Sequence, residues 1–94
     1  MASGGAGAAG GVDALYNQGV IAWNAGKAED AKKAFEEALK LDPKHPNSHY
    51  QLGMCFLNLG KMPEAVAEFE SYLQLAPDGQ YSAQAKALVA QLKK

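Results

Sequence analysis

The chain has 94 residues, which is enough for one small domain with a modest core. Nine Lys, ten acidic residues and no Arg leave a formal net charge of −1, with both signs interleaved along the sequence. This balance excludes the strongly basic surface that collects phosphate groups, so nucleic acid is not an expected partner.

Residues 1–11, "MASGGAGAAGG", contain five Gly and four Ala and have almost nothing to bury. Such a composition predicts a flexible lead-in before a domain at residues 12–94. The segment lacks the basic start and apolar run of a secretory signal, and no stretch of the chain reaches the roughly 20 apolar residues that cross a bilayer. We therefore expect a soluble chain without membrane insertion.

Residues 12–79 contain two copies of one unit. Each residue of the second copy follows its counterpart in the first copy at the same distance along the chain, the distance from Gly19 to Gly53. The identical pairs at this offset include Gly19/Gly53, Gly26/Gly60, Lys27/Lys61, Ala31/Ala65, Phe35/Phe69, Leu41/Leu75 and Pro43/Pro77. A fixed period of this size is typical of stacked supersecondary units. Within each copy, apolar residues recur at helical spacing on both sides of a Gly-containing connector, and a Pro follows the second run. The sequence thus predicts two helical hairpins, repeat one at residues 12–45 and repeat two at residues 46–79.

These hairpins resemble the tetratricopeptide repeat family. The second copy has the family's Leu-Gly pair, aromatic residue, Ala-x-x-x-Phe and closing Pro in register, at Leu52, Gly53, Phe56, Ala65, Phe69 and Pro77. The first copy keeps the Gly, Ala, Phe and Pro, but it has Gln18 in place of the Leu and Ala22 in place of the aromatic residue, with Trp23 beside it. The resemblance implies an all-α fold, an α-solenoid of two antiparallel helical hairpins.

After Pro77 the sequence "DGQYSAQAKALVAQLKK" continues with helical spacing of its apolar residues. It predicts a capping helix at residues 80–93, with Asp78 as its N-cap. Such a helix would cover the exposed face of the second hairpin, as terminal helices do in repeat arrays.

Residues suited to catalysis or metal binding are few and scattered. His45 and His49 are four residues apart, but Pro46 and Asn47 indicate that a helix starts between them and leaves His45 in the turn. Cys55 lies among apolar residues in "LGMCFLN", which indicates a buried, reduced thiol and favours a cytoplasmic location. We therefore expect no catalytic residue, no metal and no cofactor, and a chain that is not an enzyme.

In the proteins that this chain resembles, the first helices of the hairpins line a concave groove that holds an extended peptide or a partner helix. Placed by their offset from the repeat glycine, the predicted binding residues are Tyr16, Asn17, Val20, Trp23 and Asn24, then Tyr50, Gln51, Met54 and Asn58, and Gln84 in the capping helix. The set is aromatic, aliphatic and amide, without a cation, so binding would depend little on salt. The alternative for Tyr16, Trp23 and Tyr50 is packing against neighbouring helices.

The sequence therefore predicts a non-enzymatic scaffold that binds a protein or peptide partner in the groove of its first helices. The alternative is a self-associating structural or oligomerisation module, such as a homodimer. Two repeats are fewer than the three or more that such arrays usually need. In that case another copy would complete the exposed helical face of the first hairpin.

Overall fold

The structure, a computed structural model, describes residues 4–94, with side chains from Gly11 onward, and all its regular elements are helices. The helices are α1 (Gly4–Asn24), α2 (Ala28–Leu41), α3 (Pro46–Asn58), α4 (Met62–Leu75) and α5 (Ser82–Leu92). Helices α1 and α2 form one hairpin, α3 and α4 form the next, and α5 packs against α4. This arrangement confirms the predicted all-α, solenoid-like fold with a capping helix. Within the described part of the chain, no helix is both long enough and apolar enough to cross a bilayer.

The two hairpin turns have the same geometry because each is built on a glycine. Gly26 and Gly60 both adopt a φ of 79°, which a residue with a side chain rarely adopts. In the first turn the N–H of Gly26 donates to Trp23 O (3.0 Å) and the N–H of Lys27 donates to Ala22 O (2.9 Å). These two bonds end α1 and reverse the chain toward α2.

The helices of each hairpin approach closely because the repeat glycine lies against a phenylalanine. A Cβ added to Gly19 would lie 2.5 Å from Phe35 Cε1, and one added to Gly53 would lie 2.6 Å from Phe69 Cε1. Phe35 and Phe69 are fully buried. The glycines therefore make room for the aromatic rings that fill each hairpin.

The core consists of two clusters, which also explain how the hairpins stack. The first core cluster is Ala31, Phe35, Leu52 and Cys55, and the second core cluster is Tyr50, Ala65, Phe69, Tyr72 and Ala85. The first joins α2 to α3, and the second joins α3 to α4 and α5. The capping helix is thus part of the second core.

The second helix of each hairpin ends where the sequence predicts, and α3 begins with an N-cap residue. Helix α2 stops before Asp42-Pro43 and α4 stops before Ala76-Pro77, because the residue before a proline disfavours helical geometry. His45 lies in the turn before α3, where its Nδ1 accepts a hydrogen bond from the backbone N–H of Ser48 (3.3 Å). His45 therefore takes the N-cap role that a polar residue normally fills.

The first helix starts earlier than the composition suggests. Residues 4–11, predicted as part of a flexible lead-in, continue α1, and the remaining residues of that lead-in lie outside the described part. The three Ala of this stretch favour helix and its five Gly disfavour it, but extending a formed helix costs less than starting one. A Cβ on Gly11 would lie 3.1 Å from Leu41 Cδ1, so α1 already runs beside the end of α2 at this point.

The capping helix begins later than predicted, at Ser82, and Asp78 is not its N-cap. Tyr81 holds the N-cap position and makes no side-chain capping bond. The hydroxyl of Tyr72 accepts a hydrogen bond from the N–H of Tyr81 (2.8 Å), and the N–H of Ser82 donates to Gly79 O (3.1 Å). These bonds fix the turn before α5, and a bond from the N–H of Gly79 to Ala76 O (3.0 Å) closes the turn around Asp78.

Candidate functional site

Helices α1 and α3 lie side by side, and the first residues of α5 follow on the same side of the molecule. Helix α1 contacts α3 directly, and Tyr16 of α1 lies close to both Gln51 of α3 and Tyr81 at the start of α5. We call the surface of α1, α3 and the start of α5 the first-helix face. All ten predicted binding residues belong to these helices, although their side chains differ in exposure.

Tyr16 is half-buried at one end of this face. Its ring centroid lies 5.6 Å from that of Phe35 and 5.3 Å, edge on, from that of His45. Burial raises the pKa of the Tyr16 hydroxyl, and the nearby side chain of Gln51 acts in the opposite direction. The Tyr16 ring thus packs against the first core cluster and is partly exposed.

Trp23 and Asn58 lie at the other end of the face, where α1 and α3 finish. Together with Gly26 and Ala28 they line a shallow pocket. Trp23 and Val20 are half-buried and pack against the first core cluster. The structure thus brings together two residues, Trp23 and Asn58, that the sequence predicts separately for the two repeats.

Amide side chains make up most of the exposed part of the face. Asn17, Asn24, Asn58 and Gln84 are exposed, whereas Gln51 and Met54 are half-buried. Met54 packs against the second core cluster. Amides offer both donors and acceptors, so this set can pair with the backbone of an extended chain.

Tyr50 differs from its prediction as a binding residue, because it belongs to the second core cluster and is only 8% exposed. Tyr81 stacks on it with centroids 4.3 Å apart and an interplanar angle of 3°. Phe69 and Tyr72 each lie 5.6 Å away in tilted contact. Tyr81 of the capping segment covers the Tyr50 ring. Tyr50 therefore packs against neighbouring helices, which was the alternative, and little of its side chain can reach a partner.

The first-helix face is almost free of formal charge. Of Asp, Glu, Lys and Arg, α1 and α3 together contain only Asp13. Helix α2, by contrast, carries charged residues of both signs along its exposed side. Asp, Glu and Lys are thus concentrated in the second helices, the turns and the capping helix, and α1 and α3 offer aromatic, aliphatic and amide groups.

Both histidines have hydrogen-bond partners within the protein. His45 Nδ1 lies 2.7 Å from Ser48 Oγ, and both ring nitrogens of His49 are hydrogen-bonded to other protein groups. Among the described residues, no three His, Cys, Asp or Glu side chains are grouped closely enough to hold a metal ion. Cys55 is fully buried in the first core cluster, and this burial, followed by the charge of Glu29, raises the pKa of its thiol to about 12.

Two features of the site region are absent from the sequence-based prediction. The first is Tyr81 as the cover of Tyr50, which only the packing of α5 reveals. The second is a hydrogen-bonded contact between His49 and Glu68, which is an ion pair when the His49 ring is protonated. A signal for it exists, because the equivalent positions of the first repeat hold Leu15 and Ala34, so the second repeat alone places two ionisable groups there.

Comparison with known proteins identifies a family for the part of the chain that contains the two hairpins. A family model described as "Tetratricopeptide repeat" matches residues 11–80. This match includes both hairpins and extends to the turn before α5. No curated protein matches the chain.

Proposed function

This chain belongs to the tetratricopeptide repeat family, whose repeats mediate protein–protein interactions, and we propose that its first-helix face binds an extended peptide or a partner helix. Members of the family are generally non-enzymatic. The observation that carries the proposal is the scarcity of Asp, Glu and Lys on the first helices: α1 and α3 carry aromatic, aliphatic and amide groups, and Asp13 is their one residue of these three types.

Tyr16, Trp23 and Met54 supply apolar contact area in this proposal, and the exposed amides fix the partner's backbone. Large aromatic and sulfur-containing side chains are common contributors to binding energy. Asn17, Gln51 and Asn58 lie among them. Since no charge pair is involved, we expect an affinity that changes by less than about twofold between roughly 0.05 and 0.5 M salt.

Trp23 offers a direct assay because it is the only tryptophan and lies on the proposed surface. Peptides selected by display against the immobilised domain would be titrated while Trp23 emission is recorded. We expect a shift in emission that saturates with peptide concentration. Peptides that bind tightly yet leave Trp23 emission unchanged would place the binding surface elsewhere.

A matched pair of variants separates the first-helix face from the rest of the surface. Asn58 on α3 and Gln74 on α4 are both exposed amides near the end of a helix. We expect Asn58→Lys to weaken peptide binding at least about fivefold, or about 1 kcal/mol, and Gln74→Lys to leave it unchanged. Equal effects of the two variants would contradict the proposal.

A second candidate is self-association, and one observation favours it. The face of α3 that packs on α2 includes Ser48, Leu52 and Cys55, all of which are buried. The equivalent positions on α1, one repeat earlier, are all exposed, and Ile21 among them is 68% exposed. A second copy that covered this side of α1 would give it the packing that α3 already has.

Light scattering after size exclusion, over a wide range of loading concentration, tests this candidate. If copies associate through α1, Ile21→Lys should shift the mass toward the monomer. Met62→Lys is the control, because Met62 is an exposed apolar residue (41%) on the second hairpin. A monomer at all concentrations would reject self-association and leave the first-helix face open to other partners.

A further inference from the structure

Both ring nitrogens of His49 point at oxygen atoms that can only accept a hydrogen bond. His49 Nδ1 lies 2.7 Å from Glu68 Oε1 on α4, and Nε2 lies 2.7 Å from the backbone carbonyl of Pro43 in the turn between the repeats. A neutral imidazole has one N–H and can satisfy only one of these acceptors. The geometry fits the doubly protonated, positively charged ring.

The contact between His49 and Glu68 is partly shielded from solvent, which strengthens its dependence on the charge of the ring. The side chains of His49 and Glu68 are 15% and 22% exposed. A partly buried ion pair is screened much less than an exposed one. Loss of the ring proton would therefore leave the ionised Glu68 carboxylate facing either a ring lone pair or a weakened partner.

We propose that His49 is a proton-dependent clamp that, in its charged form, ties the turn between the two repeats to α4. This inference does not rest on the proposed partner binding. It assigns to the second repeat a pH-sensitive contact that the first repeat does not have at the equivalent positions. At the equivalent positions, the first repeat has Leu15 and Ala34, which cannot titrate.

The other ionisable groups near His49 make contacts with residues other than His49. In the turn, Asp42 Oδ1 accepts from the N–H of Lys44 (3.1 Å), and on α4 Glu70 pairs with Lys93 of α5 (2.9 Å). His45, at the start of α3, is bonded to Ser48 and packs against Tyr16 of α1. On α2, the charges of Glu29, Lys32 and Glu36 influence the pKa of Cys55, which lies later in α3 than His49. Glu68 is thus the acidic group that faces the His49 ring within ion-pair distance.

The direction of the pH effect follows from these contacts. The hydrogen bond to Glu68 raises the pKa of His49 above 6.5, burial opposes the rise, and the Pro43 carbonyl and the Glu68 charge add to it. A group whose pKa is higher in the folded state stabilises that state fully below its unfolded pKa. The stabilisation is then lost as the pH rises through the folded pKa. We therefore expect the clamp to hold in mildly acid solution, while Glu68 is ionised, and to release toward alkaline pH.

The first test is an NMR titration of the unmodified protein, with His49 signals assigned by their absence in His49→Leu. We expect His49 to titrate above the reference value of about 6.5 and to carry protons on both ring nitrogens below its midpoint. A His49 that titrates at or below the reference value would overturn the proposal. The titration itself follows the unmodified protein, and the variant serves only to assign the His49 signals.

The second test measures the urea midpoint of unfolding across roughly pH 5.5 to 8.5, where the histidines titrate. The double variant His49→Leu/Glu68→Ala copies the pair found in the first repeat and retains His45 and the N-terminal amine. We expect the midpoint of the wild type to fall relative to that of the double variant as the pH rises. Glu68→Gln, which keeps an acceptor without charge, should show a smaller fall. Parallel pH profiles for the wild type and the double variant would refute the clamp.

Discussion

Replacing Gly53 by Ala puts two opposing effects into one experiment. Gly in the middle of a helix is less favourable than Ala by about 1 kcal/mol, so helix propensity alone predicts stabilisation. The added Cβ would lie 2.6 Å from Phe69 Cε1 and 2.8 Å from Phe69 Cδ1. Carbon atoms in contact prefer about 3.5 to 4.0 Å, so the overlap is roughly 1 Å.

The magnitude of the clash decides the sign because Phe69 cannot move away. Its side chain is fully buried in the second core cluster beside Tyr72, which is 1% exposed. Overpacking of a filled core typically costs about 1 to 3 kcal/mol, and a rigid neighbour places this variant near the upper end. After subtraction of the helix-propensity gain we expect Gly53→Ala to destabilise the fold by about 2 kcal/mol. For a domain of this size that lowers Tm by roughly 8 to 16 °C.

Thermal and urea unfolding followed by far-UV circular dichroism provide the measurement, with Gly11→Ala as the matched control. The neighbour of Gly11 is Leu41 Cδ1 at 3.1 Å, on a side chain that is 57% exposed and free to rotate. We expect Gly11→Ala to be neutral or to stabilise by up to about 1 kcal/mol. In a Phe69→Leu background, Gly53→Ala should cost less than it does alone. A Gly53→Ala variant as stable as the wild type would refute this reasoning.

Three further predictions concern buried side chains. Tyr50→Ala should lower the free energy of unfolding in urea by about 3 to 5 kcal/mol, because it empties the space between Phe69, Tyr72 and Tyr81. A loss under about 1 kcal/mol would mean that Tyr50 is a surface residue. Cys55, whose pKa is raised to about 12 by burial, should resist a disulfide reagent at mildly alkaline pH and react once urea unfolds the chain; rapid labelling of the native protein would contradict its place in the core. Tyr72→Phe removes the acceptor for the Tyr81 N–H and should cost about 1 kcal/mol, with faster hydrogen exchange at Tyr81 as the local check.

The fold could be predicted from the sequence almost in full because its signals are local and repeated. Gly26 and Gly60 set the hairpin turns through a backbone angle that glycine adopts without strain. Pro43 and Pro77 end the second helices through the restriction on the preceding residue. The recurrence of these signals at one constant offset then predicts stacking. None of these inferences requires knowledge of a distant contact.

The residue types on α1 and α3 could also be predicted from the sequence, but the exposed fraction of each side chain could not. Asn17, Asn24 and Asn58 are exposed on the first-helix face, where their offsets from the repeat glycines place them. Tyr50 occupies an equivalent position to Tyr16, yet one ring is 8% exposed and the other is half-buried. The difference comes from Tyr81, which stacks on Tyr50 alone.

The repeat, its helices, its turns and the scarcity of Asp, Glu and Lys on the first helices all follow from the sequence alone. Three features do not: the burial of Tyr50 in the core, the bond from Tyr81 to Tyr72 before α5, and the contact of His49 with Glu68. All three depend on contacts between residues that are distant in the sequence. Local backbone preferences act between neighbours in the chain, whereas burial and ion pairing depend on which other helix arrives against a given side chain.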